Sequence, residues 1–486
     1  MQSSPNGIAI LDFNLLFHRM LRLKKYIKTT IQPKYRKLLF AFGLYMYFYL
    51  EAEILFTDRI GELFGKSIGT TFYGIFCLAA AVGFFSFAFL RHLFSKTGRL
   101  LLIILSSAGV ICTVATVYTG TVITAAFTLF VMLIAGITGA SLLYAMAVNI
   151  KEKSVLGLFI ALPYAAAFLV QYIVGYISPL FSKIEPLFLH FSIASAFFAA
   201  VILSPKAAIT APMRKKDIKP DTCAETKRYL IGAMAAGLII FCLYGMMDGI
   251  IMTLHNGQKL NVYGWVRLLC IPGLFFTGWL ADLRGGRYFP FASAAGMVAA
   301  VAAVFLFNTA ETYNAALGSV YFFYSFMTMY SLVIFVHMAD STSAPAFWAG
   351  AGRGLKYMAG GVFALAGSLI FAHVSLLMLA LIYTALLIVL FIILFFQGKL
   401  TPVDITVQVS GRQFKVPLDD MIKEHGITNR EQEVLRALLS GKSTSAIAEE
   451  MVISTKTVQK YISSMISKTN AKSRAELLSI FTGQKS

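Results

Sequence analysis

The chain has 486 residues, of which 58% are hydrophobic and only 13% charged, with a formal charge of +19 and a mean hydropathy of +0.74. Those values exclude an ordinary soluble domain and an intrinsically disordered chain, and they predict a membrane protein with hydrophilic appendages. Five cysteines (Cys77, Cys112, Cys223, Cys242 and Cys270) are scattered without a paired motif, so they read as small core thiols rather than a disulfide framework or metal site.

Residues 1–37 form a basic lead-in in which Leu15, Phe17, Met20 and Leu21 alternate with Arg19, Arg22, Lys24, Lys25 and Lys28. An amphipathic helix on an anionic membrane surface fits this pattern, and so does a plain basic tail. No signal peptide is read here, because the basic run follows the apolar patch instead of preceding it.

Twelve hydrophobic spans follow. They fall near 38–57, 68–90, 100–119, 122–149, 155–180, 185–203, 229–254, 264–281, 288–308, 314–338, 352–373 and 375–397. The expected organisation is therefore six spans in 38–203, a central loop at 204–228 and six spans in 229–397. Lys and Arg number eight in the lead-in, three in 91–99, two in 151–153, seven in 204–228 and two in 284–287. The alternate loops hold four: Arg59, Lys66, Lys183 and Lys259. This asymmetry predicts that both chain ends are cytoplasmic.

Charges within the spans are costly unless they face a cavity or a partner. Glu51 and Glu53 lie late in the first span, Asp248 late in the seventh, Arg267 early in the eighth and Arg353 at the start of the eleventh. These five are the candidates to line a ligand cavity, interfacial placement being the alternative. Lys356 reads as an inner-surface anchor. Tyr49-x-x-x-Glu53 and Tyr244-x-x-x-Asp248 occupy similar places in the two halves.

Between spans eight and nine stands Gly278-Trp279-Leu280-Ala281-Asp282-Leu283-Arg284-Gly285-Gly286-Arg287, and Ser95-Lys96-Thr97-Gly98-Arg99 is a degraded copy between spans two and three. The first resembles the loop signature of the major facilitator transporters, with one arginine displaced by a position. The resemblance implies two six-helix halves and an acid–arginine latch between neighbouring helices. Ser95 replaces the family's aspartate in the first copy, so that latch is incomplete.

The linker 398–424 contains an alternation at Ile405, Val407 and Val409 that predicts a small hairpin over 403–416. Residues 425–486 then carry four short amphipathic helices. Thr428, Ser443, Ser454 and Ser473 are the expected N-caps, and Gly441 the first C-terminal stop. From Thr455 to Arg474 there are five basic residues and no acidic one, a face suited to DNA. The stretch resembles the LuxR-type DNA-binding domain through Thr428-x-Arg430-Glu431-x-Glu433-Val434-Leu435, Gly441-Lys442-Ser443, Ile447-Ala448, Ile453-Ser454, Thr457-Val458, Lys468 and Arg474-Ala475-Glu476-Leu477. The resemblance implies a helix-turn-helix whose third helix enters the major groove, with Lys442, Thr455, Lys456, Thr457, Gln459, Lys460, Ser463 and Lys468 as contact candidates. It also implies a dimer on paired half-sites of promoter DNA. The family more often has a basic residue at Gln459, His at Tyr461 and Leu at Thr469.

The expected fold class is thus all-α: a polytopic twelve-helix bundle followed by a soluble four-helix domain. The expected function is a membrane-embedded regulator that senses a small molecule and binds promoter DNA, with RNA polymerase as a further partner. A secondary transporter with a regulatory DNA-binding tail is the alternative. The sequence shows no phosphate-binding loop, catalytic triad or metal motif, so neither enzymatic activity nor a cofactor is expected.

Overall fold

The computed structural model describes residues 33–399 and 425–478, except 94–97, 151–152, 182–183, 205–219, 257–258, 263, 287, 307–309, 440–443, 470, 472 and 474–476. The expected lead-in helix, the 403–416 hairpin, the Ser443 cap and the Gly441 stop lie outside the described residues, as does most of the expected fourth helix. The chain divides into two compact units, Met1–Val409 and Ser410–Ser486.

Among the described residues of the first unit every regular element is helical. The first half holds α1 (Arg36–Phe64), α2 (Lys66–Leu93), α3 (Gly98–Ala115), α4 (Thr121–Asn149), α5 (Leu156–Ile177) and α6 (Glu185–Leu203). The second half holds α7 (Pro220–Asn256), α8 (Cys270–Asp282, preceded by a 3-10 turn at Trp265–Leu269), α9 (Phe289–Val304) and α10 (Ala310–Met329). A π-helical turn at Tyr330–Ile334 joins α10 to α11 (Phe335–Ala339), and α12 (Pro345–His373) and α13 (Leu376–Lys399) complete the unit. Taking α10 and α11 as one rod, these helices are the twelve rods expected from the hydropathy pattern. Among the described residues, eight are long and apolar enough to cross a membrane by length and composition; the other four are α3, α8, α9 and α12. This is a membrane protein. With 37 residues and no internal proline, α7 greatly exceeds the roughly 20 residues that a crossing needs.

The two halves meet along two seams, α2 against α12 and α5 against α8. Exchanging the halves exchanges spans two and eight, and also spans five and eleven, so each seam maps onto the other. The chemistry matches. A Cβ on Gly361 would stand 2.7 Å from the Gly74 carbonyl oxygen, and one on Gly74 would stand 2.9 Å from that of Gly361. Gly157 and Gly278 form the same facing pair in the other seam. Small residues let helix backbones approach where there is no hydrophobic drive between helices in lipid.

The α5–α8 seam is tied at one end by a carboxylate. Asp282 accepts the Gly157 amide on Oδ1 at 2.7 Å and the Leu158 amide on Oδ2 at 2.9 Å. Those amides belong to the first turn of α5, where unsatisfied donors and the helix dipole both favour an anion. At the same end Lys153 lies 3.7 Å from Asp340, again joining the halves.

In the second unit, α14 (Asn429–Leu439), α15 (Thr444–Glu450) and α16 (Thr455–Lys468) pack around Val434, Leu435, Leu438, Ile447, Ala448, Val458 and Met465. The core residues recur at three- and four-residue spacing, and each helix contributes one stripe.

Candidate functional site: a charged cavity and a helix-turn-helix

A cavity of about 80 Å³ in the membrane unit is lined by both halves. α1 contributes Glu53 and Thr57, α2 Tyr73, and α5 Phe168; α7 contributes Tyr244 and Asp248, the turn before α8 Arg267, and α10 Tyr321 and Tyr324. The Tyr73 and Tyr244 hydroxyls face Asp248, the latter at 3.5 Å. Glu53 Oε1 is buried with no hydrogen-bond partner. A larger neighbouring cavity of about 400 Å³ shares Ile54, Phe168 and Arg267 and adds Glu51, Asp58 and Gln171. Glu51 is held there by a 2.8 Å hydrogen bond donated by Gln171 Nε2. The Arg267 guanidinium lies 5.6 Å from the centre of the Phe168 ring.

Arg353 is 1% exposed and donates through Nη2 to the Tyr164 hydroxyl at 3.0 Å. Its guanidinium also lies 4.8 Å from the Tyr357 ring centre, a cation–π arrangement. Its Nε and Nη1 have no partner, and neither do the Tyr45, Tyr49 and Tyr357 hydroxyls. The reading of Lys356 as a surface anchor is corrected. It is buried, donates to the Tyr324 hydroxyl at 3.3 Å and lies 4.6 Å from the Tyr357 ring. The cause is the helix start. α12 begins at Pro345, seven residues before the expected boundary, which carries Arg353 about two turns and Lys356 about three turns into the helix.

In the second unit Glu431 is the hub. Its Oε2 accepts from the Thr428 amide at 2.7 Å, the Thr428 hydroxyl at 2.9 Å and Lys468 Nζ at 2.7 Å. The first contact is the reach-back arm of a capping box at the start of α14, and the last ties that start to the end of α16. Burial by itself pushes the Glu431 carboxyl up, but Lys468 and the Thr428 donors outweigh it and hold the pKa at about 2. The turn between α15 and α16 is a Schellman motif: the Ile453 amide donates to Ala448 O and the Val452 amide to Glu449 O. Val452 stands at its left-handed position, with φ +56°. Ser454 then caps α16 by accepting the Thr457 amide at 3.0 Å. Thr455, Lys456, Gln459, Lys460 and Ser463 are exposed on α16, opposite the buried Val458, Ile462 and Met465.

Residues 425–481 match the family described as bacterial regulatory proteins, luxR family. The C-terminal unit carries a LuxR-type DNA-binding domain. Over 60 residues the chain is 48% identical to the uncharacterized transcriptional regulatory protein YvfU of Bacillus subtilis (strain 168), covering 12% of this chain and 30% of that one. Over 73 residues it is 36% identical to the transcriptional regulatory protein DesR of the same organism, covering 14% and 37%. The chain thus spans well under half the length of these curated relatives. Among solved structures, an outward-facing bacterial homologue of the iron transporter ferroportin superposes with a TM-score of 0.46 at 14% identity, covering 78% of this chain and 99% of that one. A partially occluded, inward-open form of the xylose transporter XylE from E. coli gives 0.37 at 12%, covering 70% and 97%.

Within the LuxR-type domain, the structure gathers five of the eight expected DNA contacts on one exposed face of α16. Thr457 is half-buried, and its side chain pairs with Ser454 at 2.8 Å. Lys468 is engaged by Glu431 and by Gly426 O, and Lys442 lies outside the described residues. Thr469, where the family more often has Leu, is buried with its hydroxyl satisfied by Met465 O at 2.8 Å. Of the five cavity candidates, Glu53, Asp248 and Arg267 share one cavity, Glu51 joins the neighbouring one through Arg267, and Arg353 lines neither. Sequence reasoning misplaced Lys356 and missed Tyr73, Tyr164, Tyr321, Tyr324 and Tyr357. The Tyr–acid spacing signalled Tyr244 alone, which shares the Asp248 face of α7.

Proposed function

We propose that this protein is a one-component transcriptional regulator of the bacterial inner membrane, with both ends of the chain cytoplasmic. A small molecule binds in the charged cavity, shifts the packing of the two halves along their seams, and so alters how paired LuxR-type domains engage promoter DNA. A ligand moves such an equilibrium only by its differential affinity for the two arrangements. The observation that supports the reading best is the presence, on one chain, of an exposed basic recognition face and a charge-lined cavity built from both halves. The loop charges of the first unit support the orientation, since the basic loops alternate along the chain.

The test is chromatin immunoprecipitation of the full chain from its native membrane. Discrete promoters should be enriched, and Lys456→Ala/Lys460→Ala should abolish the enrichment while leaving the protein in the membrane. Undiminished enrichment in that variant overturns the reading. The seams, equivalent under exchange of the halves, and the Gly278–Arg287 signature favour a second reading, a major-facilitator-like transporter with a DNA-binding tail. Saturable uptake of a bound ligand into proteoliposomes would establish it.

A further inference from the structure

Buried charges of opposite sign normally collapse into contact, because an unpaired ion in a low-dielectric interior is costly. The centre of the membrane unit does not follow this pattern. Glu51, Arg353 and Lys356 are buried there and Glu53, Asp248 and Arg267 half-buried, which makes three carboxylates and three cations. Among the described residues none of these carboxylates lies within 4.0 Å of any of these cations. Instead the cations rest on aromatic rings: Arg267 on Phe168, Arg353 on Tyr164 and Tyr357, and Lys356 on Tyr324 and Tyr357. Glu53 Oε1 and two Arg353 nitrogens are left buried without a partner.

Two of the carboxylates and one guanidinium face the same 80 Å³ cavity, across aromatic walls. A singly charged anion there would meet Glu53 and Asp248, and a singly charged cation would meet Arg267. A molecule carrying both signs satisfies both sides at once. We infer that the cavity takes a small zwitterion of amino-acid type. Its ammonium end lies between Glu53 and Asp248, and its carboxylate end lies against Arg267. The volume is several times what one water needs and well below the roughly 300–1,000 Å³ of pockets for drug-sized ligands, which sets the size class. This inference rests on the sensor reading above, since it names the chemistry of that reading's ligand.

The experiment uses the full chain in lipid nanodiscs and three probe pools matched in size. These are the twenty protein amino acids, the corresponding amines without carboxylates, and the corresponding acids without amines. The amino-acid pool should raise the thermal midpoint of the membrane unit, and the other two should not. Arg267→Gln and Asp248→Asn should each weaken the response to the active amino acid at least tenfold. In Arg267→Gln the matching amine should gain on its amino acid; in Asp248→Asn the matching acid should gain. A response to either singly charged pool equal to that of the amino acids overturns the inference, as does no response to any pool by the folded wild-type protein. A promoter reporter separates the two ideas. Induction by a singly charged molecule alone refutes the zwitterion site and keeps the sensor, whereas amino-acid binding with an unresponsive reporter keeps the site and refutes sensing.

Discussion

Replacing Lys468 with methionine should be the most damaging single change in the DNA-binding unit that touches none of its apolar core. Glu431 is only 4% exposed at its side chain and Lys468 32%, so removing the cation strands a carboxylate out of water. The wild-type carboxyl titrates at about 2, against an ordinary 4.5. At 1.36 kcal/mol for each pKa unit that difference is worth about 3 kcal/mol to the folded state. Thr428 supplies part of it, so Lys468→Met should cost about 2 kcal/mol. A unit of this size has on the order of 4–12 kcal/mol of total stability, and its melting point should fall by roughly 10 °C. The sign with pH is fixed. The folded pKa is depressed, so the stabilisation is complete above about pH 4.5 and disappears as pH falls through about 2. Urea unfolding of residues 410–486 at pH 7 and at pH 2.5 provides the assay. The wild-type advantage should be large at pH 7 and mostly gone at pH 2.5. An advantage below 0.5 kcal/mol at pH 7, or one equal at both pH values, would refute the electrostatic account.

Val452→Gly should stabilise the same unit by roughly 0.5–1 kcal/mol in urea unfolding, because a β-branched residue in the left-handed region is strained. Lys460→Ala should weaken binding to all DNA sequences and reduce the salt slope by about one, measured by fluorescence anisotropy. Gln459→Ala should instead change the ranking of operator variants. Asp282→Asn should raise hydrogen exchange at the Gly157 and Leu158 amides roughly ten- to a hundredfold, read by mass spectrometry, since charge-assisted hydrogen bonds are lost.

The helix-turn-helix was largely readable because its signals are local. Thr428 and Glu431 are three residues apart, and Ser454 and Thr457 likewise, so each cap closes within one turn. The amphipathic stripe of α16 then separates the exposed lysines from the core. The Glu431–Lys468 link was not readable, since it spans 37 residues and depends on how two helices pack. In the membrane unit the rods and their alternating loop charges were visible as runs of apolar residues. Their rotations were not. A helix apolar on most sides gives no periodic signal for which face is inward, so neither the burial of Lys356 nor the tyrosines around Arg353 could be placed. The earlier start of α12 is of the same kind, because polar residues inside a bundle resemble those of a loop when read one at a time.

The length of α7 has a mechanical consequence. At 1.5 Å per residue its 37 residues make a rod of about 55 Å, against a hydrocarbon thickness of about 30 Å. Asp248, on the cavity wall, lies about 40 Å along that rod from Pro220. With no proline to bend it and α12 packed along its side as a fulcrum, α7 works as a lever. A push at Asp248 that tilts the rod by roughly ten degrees moves the Pro220 end about 3–4 Å when some 20 Å of the rod lies beyond the fulcrum. A displacement at Asp248 thus reaches the Pro220 end of the helix at about its original size, some 40 Å away, with no need for the helix to unwind.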